Sequence, residues 1–483
     1  MTRDAVGTLR VSLTNTVTNW RPALLVFLPF VAGYYLSYLF RTVNALISAR
    51  LVSDLGLGAA DLGFLTSVYF LSFAAMQLPL GILLDRYGPR RVQSILLLVA
   101  AVGAALFGAA EGFWLLLLAR ALIGLGVAGA LVAGLKAIVL WFPKERMPLV
   151  NGCFIMLGAL GAISATIPAE VIASWLGWRG LFELLALLTA GSAIAIFLLV
   201  PDRPRASQNP TSDAGVNLRA IYADPRFWQL APLSATCIGT AWALQGLWAA
   251  PWLADVEKFD YPFIVRHLFV MAAALSTGAL VLGIIADRLR RRGVRPDSVL
   301  AVVATIFIFV QAALVLRFPF STYLTWAVVG CVGASTVLSF TMLAEYFPAE
   351  AAGRANGALN LLHIGGAFIL QYSIGLIIER WANVAGHYPP IAYKTAFAFA
   401  ALLQITALIW FLCNKEWVPN AMSAFVRSAL RSRLWAAHQP MTESADAALD
   451  PAKYPGVGVS PMVGTAYIAA DPARNRSPMS ARE

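Results

Sequence analysis

Residues 81–91 read Gly81-Ile82-Leu83-Leu84-Asp85-Arg86-Tyr87-Gly88-Pro89-Arg90-Arg91, and the opening Gly, Asp and Arg return 202 positions later as Gly283, Asp287 and Arg288. A second string repeats nearly in register with the first. Phe142, Pro143, Glu145, Asn151 and Gly152 return as Phe347, Pro348, Glu350, Asn356 and Gly357, each at an offset of 205. Two matches at equivalent places imply two like halves in the same orientation, a plan that sets a solute site between them near mid-membrane.

Both strings lie among apolar runs. Of the 483 residues 59% are hydrophobic and 13% charged, where globular chains carry about a quarter charged; mean hydropathy is +0.72. Apolar runs of the length that crosses ~30 Å of hydrocarbon are expected at 24–47, 60–84, 92–110, 113–141, 149–173 and 180–200. Six more follow at 228–253, 263–286, 299–316, 322–344, 355–378 and 391–413. The expected fold is an all-α membrane protein: twelve transmembrane helices in two six-helix pseudo-symmetric halves. A β-barrel would show short alternating segments instead. The expected divisions are a first half over 1–200, a cytoplasmic linker over 201–225, a second half over 226–413 and a cytoplasmic tail over 414–483.

The net charge of +11 does not signal nucleic acid, because Lys and Arg sit in short clusters between apolar runs. In alternate connections ahead of the tail, eighteen basic residues fall on the side of the N-terminus and seven on the other. That bias places both termini in the cytoplasm. Arg3, Arg10 and Arg21 precede an apolar stretch too long for a signal-peptide core, which reads as an uncleaved first span. Cys153, Cys237, Cys331 and Cys413 are too widely spaced for a zinc site or a disulfide framework. Arg outnumbers Lys by about 30 to 6, which fits a GC-rich bacterial genome and so a bacterial inner membrane. In the tail, Met422, Val426, Leu430 and Leu434 recur every four residues with Arg427, Arg431 and Arg433 between them. They read either as a basic amphipathic helix on the inner leaflet or as a solvated stub, and beyond Gln439 the composition points to disorder.

Residues 81–91 resemble the signature between helices 2 and 3 of the major facilitator superfamily, in the form Gly-x-x-x-Asp-Arg-x-Gly-x-Arg-Arg. Repeat, span count and topology extend the resemblance over roughly the first 415 residues. It implies two halves rocking around a central site, with Gly81, Asp85, Arg86, Gly88 and Arg90 in an inner latch that holds the outward-open state. Asp287 and Arg288 would form a weaker second copy, because Arg290, Arg291 and Arg292 precede Gly293. Gly81 would permit close packing, and the Asp85 carboxylate would sit against a helix N-terminus and Arg86 or Arg90. Arg120, followed by Gly124 and Gly126, resembles the helix-4 signature. Lys136 lies sixteen residues on, about 160° around the helix and ~24 Å along it, so these two cations cannot grip one small solute. Lys136 reads either as a solute partner or as a side chain snorkelling from the helix end.

On the first span Tyr34, Ser37, Tyr38, Arg41, Asn44 and Ser48 fall three or four apart, one polar stripe that should face water. The rigid five-donor fork of Arg41 suits a carboxylate or phosphate; a structural ion pair or snorkelling is the other reading. Tyr34-Tyr35, Phe40-Arg41 and Asn44 resemble the first helix of the organophosphate:phosphate antiporters and of the organic-acid anion:cation symporters. The positions 202 and 205 beyond Arg41 hold Ala243 and Gly246, so the second Arg of the antiporters is missing. Where the symporters carry acids the chain has Phe40 and Val127. Candidates left for proton coupling are Glu170 and His363, the latter sharing a face with Asn360; His363 reads equally as a packing residue. Trp242, Gln245, Trp248 and Trp252 make a stripe on the seventh span, where aromatics can wall an organic solute while Gln245 and Gln371 orient it, or Trp248 and Trp252 simply pack.

No phosphate-cradling loop, zinc pair or nucleophile elbow is present, which leaves no enzyme reading and no cofactor. The expectation is a secondary transporter of a small organic anion of the carboxylate type, with Arg41, Tyr34, Tyr38, Lys136, Gln245 and Gln371 at the solute. Its partners would be that solute, protons or a counter-anion, and the lipid bilayer, with the protein a monomer. Efflux of amphipathic compounds and a transport-fold solute sensor are the alternatives.

Overall fold

The computed structural model describes residues 20–143, 146–201, 218–347, 349–384 and 386–413, all within one compact unit. Arg3 and Arg10, Lys144, Glu145, Pro348, most of the expected linker and the amphipathic segment of the tail lie outside the described residues. Nine helices among the described residues are long and apolar enough to cross a membrane.

Helix α1 is Trp20–Leu55. The next helical run, Ala59–Gly108, turns at Gly88, where φ is 79° and ψ 161°. Only glycine takes up that conformation without strain, and Pro89 then starts the following helix at a position that needs no N–H. The run is therefore two spans, α2 (59–87) and α3 (89–108). Helix α4 (113–141) is built from Phe113–Val127 and Ala130–Trp141. Gly177, with φ 71°, divides Ile167–Leu199 in the same way. Met147–Ser164 continued to 176 is α5, and 178–199 is α6.

A short turn, Leu218–Tyr222, leads to α7 (225–255), in which Pro225–Ala243 and Ala249–Asp255 are joined by one turn of π-helix, Leu244–Trp248. Asp224 caps α7, its Oδ1 accepting from the Arg226 N–H at 2.8 Å ahead of a proline at the first position. The remaining spans are α8 (Tyr261–Arg291), α9 (Pro296–Leu316), α10 (322–346), α11 (Ala349–Ile378) and α12 (Pro390–Cys413). The twelve expected spans are present. Several run past their apolar windows: the 36 residues of α1 reach ~54 Å, well beyond the hydrocarbon.

Helices α1–α6 and α7–α12 are the two repeats. A Cβ on Gly124 would collide with the Tyr69 carbonyl of α2, and one on Gly126 with the backbone of α3 at Ala100, so the glycines after Arg120 let α4 press against both neighbours. Phe30, Leu97, Ala133, Phe154 and Ile196 fill the core of the first half. Outward, Leu98, Leu118, Leu187, Leu280 and Leu402 are exposed, as a surface in contact with lipid requires. The connections α2–α3, α4–α5 and α8–α9 share one end, the basic face, with Arg86, Arg90, Arg91, Arg146 and Arg288–Arg292. The α1–α2, α7–α8 and α11–α12 connections share the other, the far face.

Candidate functional site

The two halves cross at the middle of α1 and the π-turn of α7. A Cβ at Gly246, 205 positions beyond Arg41, would lie 3.6 Å from the Arg41 carbonyl oxygen, so the repeat sets a residue and its counterpart against each other. The extra residue of a π-turn re-aims the side chains around it, and here Trp242 meets Arg41. The Arg41 guanidinium carbon is 4.3 Å from the Tyr38 ring centre and 5.0 Å from that of Trp242. Tyr34 packs edge-on against Tyr38 at 5.1 Å and stacks on Phe154. Trp242 stacks on Phe70 of α2, 6.3 Å away. Among the described residues Arg41 makes no ion pair and no hydrogen bond. Cation–π contact leaves all five of its N–H donors unused.

The rest of the polar stripe does not face water. Ser37, Asn44 and Ser48 are buried, bonded to the Val127 carbonyl, the Thr66 hydroxyl and the Ala45 carbonyl at 3.4, 3.1 and 3.0 Å. Packing on several sides of α1 absorbs them, while Tyr38 borders a cluster of Ala162, Ala272, Leu275 and Ala334 that spans the halves and Arg41 meets Trp242.

Gln245, on the π-turn, is buried with its amide nitrogen unpartnered among the described residues. Gln371 is not a lining residue: it is fully buried. Its amide, oriented by its neighbours, donates to the Ala243 carbonyl at 3.1 Å and accepts from the Trp248 indole at 3.2 Å, which ties α11 to the π-turn. Trp248 and Trp252 are packing residues, Trp252 lying 5.4 Å from Trp326. Lys136 is placed away from the solute group, its ammonium bonded to Asp85. Arg120 is fully buried 4.8 Å from the Tyr69 ring, with no hydrogen-bond partner among the described residues. His363 is buried too, its Nε2 2.7 Å from the Ser234 hydroxyl, which donates to Ser339 at 2.7 Å; these bonds join α7, α10 and α11.

At the far face the halves are stitched together. Glu170 of α5 accepts from Arg50 of α1 at 2.8 Å and from the Tyr261 hydroxyl of α8 at 2.6 Å. Ser67 donates to the Phe368 carbonyl at 3.1 Å, and Phe64 packs on Tyr372. Glu170 is thus an interface carboxylate already matched by a cation. Sequence reasoning missed Tyr261; its only local signal is its place just before Pro262 at the start of a helix.

At the basic face the described ion pairs stay within one half. Asp85 bonds Lys136 instead of Arg86 or Arg90, and Arg90 Nε donates to the Phe197 carbonyl at 2.8 Å. Asp287 pairs with Arg291 at 2.9 Å rather than Arg288, and Arg290 with Glu345 at 3.0 Å. Gly81 makes no close packing contact: a Cβ there, or on Gly283, would meet no described atom within 4 Å. The Asp85 side chain is 82% exposed. The close approach expected at Gly81 is therefore not made among the described residues.

Twelve spans in two repeated halves, meeting at a half-buried arginine and joined at one face, define a membrane transporter rather than an enzyme. The family model of the Major Facilitator Superfamily matches residues 30–370, and the chain belongs to that superfamily. It is 26% identical over 371 residues to a probable L-galactonate transporter of Escherichia coli, covering 74% of this chain and 79% of the relative. It is 24% identical over 428 residues to a probable sulfoacetate transporter of Cupriavidus necator, covering 82% and 96%. Among solved structures it resembles a bacterial homologue of the human lysosomal transporter Spinster in an inward-facing and occupied conformation, with a TM-score of 0.70 and 18% identity over 83% of this chain and 98% of that one.

Proposed function

We propose that this transporter moves a small organic anion of the carboxylate type by alternating access, with Arg41 as its charge partner and Tyr34, Tyr38, Trp242 and Gln245 around it. The observation that carries the reading is the unmatched guanidinium at the crossing of the halves. A lone cation inside a membrane costs about 2.5–3.5 kcal/mol on insertion scales and marks a solute pathway by default. A carboxylate would bond to the free fork while the rings hold its carbon skeleton. One arginine without a second suits a single carboxylate, and the likeness to a probable L-galactonate and a probable sulfoacetate transporter supports an anion. The basic face is the cytoplasmic one, in a bacterial inner membrane with both termini inside, and the closed far face makes this an inward-facing state.

The test is the thermal stability of the purified protein with L-galactonate, sulfoacetate, galactose and glycerol 3-phosphate, beside Arg41→Ala. A ligand that binds only the folded state raises the midpoint by mass action. Stabilisation by the carboxylates that vanishes in the variant is the expected result. Stabilisation confined to galactose, equal in both proteins, would replace this reading with transport of a neutral solute.

A further inference from the structure

A cavity of about 440 Å³ lies between the halves at the far face, bounded by Ser48 of α1, Ala59 of α2, Trp248 of α7 and Tyr261 of α8. Gly386, His387 and Tyr388 of the α11–α12 connection line it as well. One buried group holds that connection down. Asp255, 3% exposed at the end of α7, accepts from the Tyr388 N–H at 3.0 Å and from the Tyr393 hydroxyl at 2.5 Å, and lies 2.5 Å from His387 Nδ1. Tyr388 then reaches the first half, where its hydroxyl accepts from the Ala59 N–H at 3.1 Å, one of the unpaired donors at the start of α2. Gly386 sits against Val52 of α1. Asp255 therefore anchors a strap that spans both halves, while the His387 side chain is 59% exposed.

We propose that His387 and Asp255 form a proton-binding site at the far face, and that its occupancy fastens this face shut. A hydronium ion gives its proton to Nε2 of the neutral imidazole and leaves as water, and the imidazolium keeps its Nδ1–H on Asp255; no bond within the protein breaks. The Nδ1–H bond to the Asp255 carboxylate, until then assisted by one charge, becomes a bond between two ions. With the face open, water reaches Asp255 and screens that attraction, so the closed state binds the proton more tightly and acid shifts the population towards closure. Imidazole is the side chain whose charge ordinarily changes between about pH 5 and 8. The titratable groups facing the pair are the phenols Tyr388 of the strap, Tyr393 of α12 and Tyr261 of α8. From α1 and α2 the cavity receives Ser48, Ser53 and Ala59, none of them charged; Glu379, just past the end of α11, lies against Gly58. The proposal rests on the transporter fold and not on the anion, so either can fail alone.

The experiment uses the full chain with its four native cysteines replaced and spin labels at Ser53→Cys and Val384→Cys, both exposed and on opposite sides of the strap contact. Distance distributions are measured by double electron–electron resonance in nanodiscs without solute, at about pH 8 and about pH 5.5. The long-distance population is expected to fall roughly tenfold at the lower pH, the size of change one charge-assisted bond gives. His387→Gln should remove this response. Tyr388→Phe, which cuts only the bond to Ala59, should raise the open population at both pH values and keep the response. A wild-type distribution that ignores pH, or a His387→Gln protein that still responds, would overturn the proposal.

Discussion

Arg41 and Arg50 lie nine positions apart on α1, yet the fold treats them in opposite ways. Arg50 is matched: Glu170 takes its guanidinium at 2.8 Å, and Tyr261 both offers its ring and bonds the same carboxylate. Arg41 has only the faces of Tyr38 and Trp242. A cation paired within the protein spends its field on holding the halves together. On the proposed reading Arg41, which meets only aromatic rings, keeps its hydrogen bonds for the solute. On that reading the difference separates gate from site on a single helix, although both residues are the same amino acid.

Removing Arg41 breaks the comparison most severely. Losing the partner of a buried charge typically costs 2–5 kcal/mol, so Arg41→Ala should weaken binding of L-galactonate or sulfoacetate by about 100-fold or more, read by isothermal titration. Arg41→Lys keeps the charge but not the planar fork and should recover part of the affinity. Equal affinities in all three proteins would make Arg41 a structural residue like Arg50.

The next effect lies on the matched cation. Glu170→Gln leaves Arg50 without its counter-charge and weakens the bond to Tyr261, so the far face should open roughly tenfold more often, the equivalent of about 1.4 kcal/mol. Hydrogen exchange at the Ala59 amide, which the Tyr388 hydroxyl covers, reports that opening directly. Trp242→Phe comes third. It keeps a ring but loses the larger quadrupole of the indole, a change within the ~0.5–2 kcal/mol range of cation–π contacts, so anion affinity should fall about threefold without any change in Ala59 exchange. A rise in that exchange would show that Trp242 serves the gate as well as the site.

The spans and the repeat were legible in the sequence because apolar runs and a 202–205 offset are properties of the chain itself. Arg41, Tyr34 and Tyr38 were legible as one face of a helix for the same reason. What could not be read was which polar residues the neighbouring helices would absorb. Ser37, Asn44 and Ser48 have the same spacing as Arg41, but each found a partner in the first half. Gln371 looked like a lining amide and turned out to brace a π-turn that no periodicity announces. Lys136 and Asp85 lie 51 positions apart in sequence, and only the packing of α4 beside the end of α2 brings them together.

That last pair gives the smallest expected effect and the sharpest reading of conformation. With Asp85 82% and Lys136 29% exposed, solvent screens their attraction, and such pairs are worth ~0–1 kcal/mol. A double-mutant cycle of Asp85→Asn and Lys136→Met on thermal stability should therefore return a coupling below about 1 kcal/mol. A coupling of several kcal/mol would require Asp85 to be desolvated. That needs the basic-face ends of the two halves to close over the motif and Gly81 to find the close contact it lacks here. The far-face bonds of Tyr261 and Tyr388 would then have to be broken in most molecules, because two halves that rock about a common centre cannot hold both faces shut while the central site stays accessible. The weakest interaction on the basic face thus measures which face is closed in solution.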